Sequence, residues 1–107
     1  MSANDDFVRY LGSPDVHDGV IVGLHIHKDQ LQVVIRACEG RVITIELHGV
    51  VELKQHQAQG MMLYALAEMK AAPPLRRFVF VNWDDDSAAF LEVMARDLQV
   101  LDEQVSD

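Results

Sequence analysis

The sequence predicts an α+β domain in which an antiparallel sheet of about five strands carries one helix on one face. Three observations predict it. Residues 20–48 contain the β-branched segments VIVGLHIH, LQVVIRAC and VITIEL, separated by short polar connections. Residues 57–71, QAQGMMLYALAEMKA, place Met62, Leu66 and Met69 at helical spacing. Residues 75–83, LRRFVFVNW, follow a Pro73-Pro74 break and return to aromatic and β-branched content.

The first three segments read as an antiparallel meander over 20–48. Successive side chains of a strand point to opposite sides. Val20, Val22, Leu24 and Ile26 therefore share a side with Leu31, Val33, Ile35 and Ala37, and with Ile43, Ile45 and Leu47. Aligning these rows puts Leu24 opposite Ile35 and Ile35 opposite Ile45, since a slip of one residue would turn a strand inside out. The other face then carries His25, His27, Gln32, Val34, Arg36, Thr44, Glu46 and His48.

The segment 57–71 is expected to cover the core face as a helix, with Ala58, Leu63 and Ala65 widening its apolar stripe and Glu68 on its polar side. Segment 75–83 is a strand. The last segment fits two descriptions: Leu91, Met94, Leu98 and Leu101 have helical spacing, whereas Leu91, Val93 and Ala95 alternate and would need a bulge near Arg96-Asp97. Strand 75–83 needs a neighbour and Asp84-Asp85-Asp86 makes a short turn, so 88–101 is read as a fifth strand.

A chain of 107 residues, 50% of them hydrophobic, is expected to form one domain over 1–107, with frayed termini at 1–6 and 102–107. Seventeen acidic residues against nine basic ones give a net charge of −8, a field that repels nucleic acid and anionic lipid and favours a basic protein partner. Arg76-Arg77 is read as the solvated opening of a strand. No segment approaches the ~20 apolar residues of a membrane span, Met1 to Gly12 lacks the pattern of an export signal, and the single cysteine, Cys38, cannot form an intrachain disulfide. The cytoplasm is the expected compartment.

His25 and His27, two apart on one strand, face the same way, and Glu46 and His48 lie on that face one strand removed. Strands ~4.8 Å apart put the two pairs near the limit of a shared metal ion. This metal- or small-ligand site is the alternative to a simpler reading, the polar side of a half-wet sheet. His17-Asp18 is similar to the metal pair of HD-type phosphohydrolases, but it stands in a loop entering a strand rather than in a helical bundle, and a capped turn accounts for it. Glu39 beside Cys38 disfavours a thiolate, Ser13 before Pro14 lacks a nucleophile elbow, no phosphate-binding glycine pattern occurs, and Asp84-Asp85-Asp86 lacks calcium-loop spacing.

The succession of His17-Asp18-Gly19 before an aliphatic hairpin, Gly49-Val50 after the third strand, and FVFVNW with an acidic turn resembles small uncharacterised bacterial domains. Some of these are described as immunity-like proteins that neutralise toxins. The resemblance spans most of 16–101, implies an α+β antiparallel sheet and supplies no catalytic residues. The resulting expectation is a binding or protein-interaction module without a cofactor, whose partner face is the histidine-bearing side of the sheet. The residues point away from an enzyme without excluding one.

Overall fold

The alternation that marks 20–48 as strand extends along nearly the whole chain. The computed structural model describes residues 7–11, 16–37, 40–84 and 86–103. Its elements are β1 (Phe7–Leu11), β2 (Val20–His27), β3 (Gln30–Arg36), β4 (Val42–His48), β5 (Glu52–His56), β6 (Leu63–Met69), β7 (Arg76–Asn82), β8 (Phe90–Ala95) and β9 (Asp97–Glu103). They form two antiparallel sheets, one ordered β1-β6-β7-β8-β5 and one ordered β2-β3-β4-β9.

The sheets cover each other's apolar faces. Ile21, Leu31, Val33, Ile35, Ile43, Ile45 and Leu47 of the four-stranded sheet join Leu63, Leu66, Phe78, Phe80, Leu91, Val93 and Ala95 of the five-stranded sheet in one buried cluster. Two corners connect them. At the first, β4 runs through Gly49 into β5 while β8 runs through Arg96 into β9, so a paired ribbon bends from one sheet into the other. The Arg96 N–H donates to the His48 carbonyl at 2.9 Å and the Val51 N–H to that of Met94 at 2.9 Å, keeping the ribbon paired through the bend. Gly49 has φ +68, and a β-carbon there would lie 2.9 Å from Arg96 Cγ, so both conformation and space require glycine.

At the second corner the start of β2 pairs with the approach to β6. The Ile21 N–H donates to the Met61 carbonyl at 3.0 Å, and the Leu63 N–H to that of Gly19 at 2.7 Å. This corner brings the loop 16–19 against the ends of β6 and β7.

The structure overturns the α+β expectation: the described residues contain no helix. Segment 57–71 is a turn followed by β6, a strand paired with both β1 and β7. The register of β6 shifts between Leu63 and Ala65, so Leu63 and Leu66, three residues apart, both enter the core. A bulge inserts one residue and converts strand spacing into helical spacing. Pairing on both sides also outweighs the intrinsic helix preference of LYALAEM. Glu68, expected on a polar helix face, is buried.

Segment 88–101 is two strands rather than one, because the irregularity anticipated near Arg96-Asp97 is the crossing from sheet to sheet. Its pairing with 75–83 exists through β7 and β8. Two further strands, β1 and β5, bring the described total to nine instead of about five. In the meander, Ile35 lies opposite Ile21 and Ile43, and Leu24 opposite Val33. The Leu24–Val33 and Ile35–Ile43 pairs differ from the expected ones by two residues, which keeps the faces, whereas Ile35 meets Ile21, three residues from the expected Leu24. A bulge between Ile21 and Gly23 also turns Ile21 into the core in place of Val20 and Val22. Cys38, Glu39, Ser13, Pro14, Asp85 and the termini 1–6 and 104–107 lie outside the described residues.

Candidate functional site

With the two inner faces spent on each other, two outer faces remain. The outer face of the four-stranded sheet has the phase the sequence predicts: His25 lies opposite Gln32, Gln32 opposite Glu46, Val34 opposite Thr44, and Arg36 opposite Val42. His25 and His27 line a cavity of about 230 Å³ with Gln30 and Gln32. The Gln32 amide donates to Glu46 Oε2 at 2.7 Å, and His48 Nε2 lies 3.3 Å from Glu46 Oε1. Glu46 and His48 are thus brought together, and Gln32 is the third member of their group. Among the described residues, no set of three or more His, Cys, Asp or Glu side chains is arranged to hold a metal ion.

The outer face of the five-stranded sheet is apolar along β1, β6 and the end of β7 nearest Trp83, and polar along β5, where register places Glu52, Lys54 and His56. Register places Ala65 opposite Val81, Ala67 between Tyr10 and Val79, and Met69 opposite Phe7 and Arg77. Phe7, Tyr10 and Phe90 are exposed on it, Tyr10 to 56%. Its charged side holds two ion pairs, Arg77 with Glu92 and Lys54 with Glu52, and Lys54 lies directly opposite Glu92. A half-wet sheet ordinarily alternates polar residues outward, so this row departs from the pattern shown by β3 and β4.

At the end of that face the second corner assembles four residues from three distant segments of the chain, His17-Asp18, Tyr64 and Trp83. The Trp83 indole N–H donates to Asp18 Oδ1 at 2.7 Å. His17 Nδ1–H donates to the Tyr64 carbonyl at 2.8 Å, and its ring meets the Tyr64 ring edge-on at 5.4 Å. Tyr64 and Trp83 stand nearly perpendicular, 86° between planes and 6.5 Å between centroids. Asp18 adopts φ 69, a left-handed conformation tolerated by aspartate, and its N–H donates to the Leu63 carbonyl at 2.8 Å. The two aromatic rings, each about half exposed, border a cleft of about 350 Å³ with Val81 and Asn82.

A larger cleft of about 610 Å³ lies alongside, bordered by Gln57, Gln59, Met62, Asn82, Asp84 and Ser87. Much of its polarity serves the turn itself. Asn82 donates to the Ala89 carbonyl and accepts from the Asp84 N–H, and Asp84 Oδ1 accepts from the Asp86 N–H.

The sequence singled out His17-Asp18 as a capped turn, and the structure gives that turn a partner: Asp18 fixes Trp83. With Nδ1 committed to a carbonyl and Asp18 to an indole, the pair builds an aromatic corner rather than a relay aimed at a nucleophile. Sequence reasoning missed this corner, although a tryptophan ending a strand just before an acidic turn was a usable signal. Among the described residues no helix is long and apolar enough to cross a membrane. No family model, curated protein or solved structure matches the chain.

Proposed function

We propose that the protein is a non-enzymatic interaction module, working in the cytoplasm, that docks a basic protein partner on the outer face of its five-stranded sheet. The carrying observation is that face: a row of apolar side chains on β1, β6 and β7, bracketed by exposed Tyr10 and Phe90 and ending at Tyr64 and Trp83, with no layer over it among the described residues. Contiguous exposed apolar surface marks interaction sites, and half-exposed tyrosine and tryptophan are the residue types that anchor them. The net charge of −8 selects the partner's sign. An immunity-like role, in which the bound partner is a toxin, is one form of this function and agrees with the family resemblance. The histidine-bearing face of the other sheet is the alternative surface, for protein, metal or small ligand.

The test compares two double variants in affinity capture followed by measurement of binding to the captured partner. Tyr10→Ser with Phe90→Ser is expected to weaken the complex by at least tenfold, because each removes an exposed anchor without opening the core. Val34→Asp with His27→Glu, on the opposite side of the molecule, is expected to leave it unchanged. The reverse pattern would transfer the function to the histidine-bearing face.

A further inference from the structure

We propose that the corner formed by Tyr64, Trp83 and Asp18 is a recognition notch for an arginine side chain of the basic partner. The inference rests on the docking function above and names the chemistry at one end of that surface. Trp83 is about half exposed, so its ring is accessible, while its N–H is held by Asp18 Oδ1. That hydrogen bond fixes the ring and places a carboxylate at its edge. Tyr64, nearly perpendicular to Trp83, supplies a second aromatic wall.

Cations are drawn to the face of an indole, and the attraction is larger when a carboxylate stands close by. The geometry favours guanidinium over ammonium. An ammonium centred on the ring is a compact point charge that does not extend to a carboxylate at the ring's edge, whereas a planar guanidinium stacks on the ring and directs N–H groups outward toward it. Asp18 retains its second oxygen for such a bond, since only Oδ1 is engaged by Trp83. Asp84 and Asp86, in the turn that follows Trp83, add negative field, and among the described residues neither has a lysine or arginine within ion-pair distance.

A sugar is the main rival ligand for an exposed tryptophan beside a polar cleft. In the cleft that Trp83 itself borders, the side-chain amide is that of Asn82, committed at both ends, and in the turn that follows, Asp84 and Ser87 each accept a backbone N–H. Among the carboxylates, Asp18 has His17 Nε2 at 3.6 Å from Oδ1 and keeps Oδ2 for a guanidinium, and Asp84 and Asp86 have no ion-pair partner among the described residues. The observations therefore favour a cationic side chain.

Trp83 is the chain's single tryptophan, so its fluorescence reports the notch directly. The full chain would be titrated with capped tetra-arginine, with tetralysine, and with tetracitrulline, which keeps the shape of arginine and removes its charge. Tetra-arginine is expected to change Trp83 emission saturably, tetralysine to bind about fivefold to tenfold more weakly, and tetracitrulline not to bind. Asp18→Asn keeps an oxygen for the indole N–H and removes the charge; it is expected to weaken tetra-arginine binding about fivefold or more. Tyr64→Leu, a second exposed substitution, is expected to weaken it as well. Equal binding of arginine and lysine, or of arginine and citrulline, would overturn the notch, as would unchanged binding in both folded variants or saturable binding of a neutral oligosaccharide instead. These peptides carry no surface to cover Tyr10 or Phe90, so their failure leaves the docking face standing. Survival of the partner complex in the Tyr10/Phe90 double variant would remove that face even if the peptides bind.

Discussion

Arg76 grips Glu68 with two hydrogen bonds of 3.0 Å, Nε to Oε2 and Nη2 to Oε1, and reaches across to Asp97 at 3.1 Å. Glu68 and Arg76 belong to adjacent strands of the five-stranded sheet, whereas Asp97 opens β9 of the other. The arginine thus ties both sheets together just beyond the Arg96 corner. Its guanidinium also lies 5.1 Å from the centre of the buried Phe78 ring, and Arg9 adds a longer contact to Glu68 at 3.6 Å. Residue pair 76–77, read from the sequence as a solvated strand opening, is therefore split in role: Arg77 pairs with Glu92 on the outer face and Arg76 with Glu68 on the inner one.

This relationship predicts acid sensitivity. The hydrogen bonds from Arg76 hold the Glu68 carboxyl below the usual glutamate range, against the opposing effect of burial, and raise Arg76 in turn. A carboxylate whose folded pKa is depressed contributes stability that is fully present above its unfolded value, about 4.3, and is lost as pH falls through the folded one. Glu68→Gln is expected to cost about 1.5–3 kcal/mol at neutral pH and to flatten the fall in stability below about pH 4. Denaturant midpoints of both proteins from pH 7 down to pH 3 check it; parallel curves would assign the acid limb to other carboxylates.

Leu66→Ala is expected to cost about 2–5 kcal/mol, since Leu66 is fully buried on the central part of β6. A helix over 57–71 would give a similar loss, so the discriminating partner is Met62. It is 45% exposed in the turn before β6, and Met62→Ala is expected to stay within about 0.5 kcal/mol. Comparable losses in both variants would restore a helical stripe on which both face the core.

Gly49→Ala is expected to cost about 1–2 kcal/mol from the left-handed backbone alone, with the contact to Arg96 adding to it. The paired variant Gly49→Ala, Arg96→Gly relieves the contact and leaves the backbone cost, so it separates the two. Thermal unfolding of the single and double variants reads the difference; no loss in the single variant would mean that the ribbon does not bend there.

The outer and inner rows of β3 and β4 were legible in the sequence because neither strand is bulged where they pair, so strict alternation from Leu31 and from Ile43 reads the faces directly. β2 and β6 were misread for a shared reason. Each contains a register shift, at Ile21–Gly23 and at Leu63–Ala65, and a bulge is invisible to a periodicity rule while displacing every residue on one side of it. The second sheet stays hidden as long as the segment of β6 is read as the covering layer. The site was hidden by distance: Trp83 and Asp18 are 65 residues apart, and no local pattern in either segment announces the other. His17-Asp18 drew notice for its chemistry, and its role became readable only once the β2–β6 corner brought it to Tyr64.

The central claim is that the partner covers the outer face of the five-stranded sheet and its aromatic corner. Amide hydrogen exchange of the protein alone and in complex with its captured partner tests it most directly, because protection reports which backbone is covered or rigidified. Slowed exchange is predicted at β1, in the loop 16–19, and at the adjoining ends of β6 and β7 around Tyr64 and Trp83, with β3 and β4 unchanged. Protection confined to β2, β3 and β4, with Tyr64 and Trp83 exchanging as in the free protein, would contradict the account.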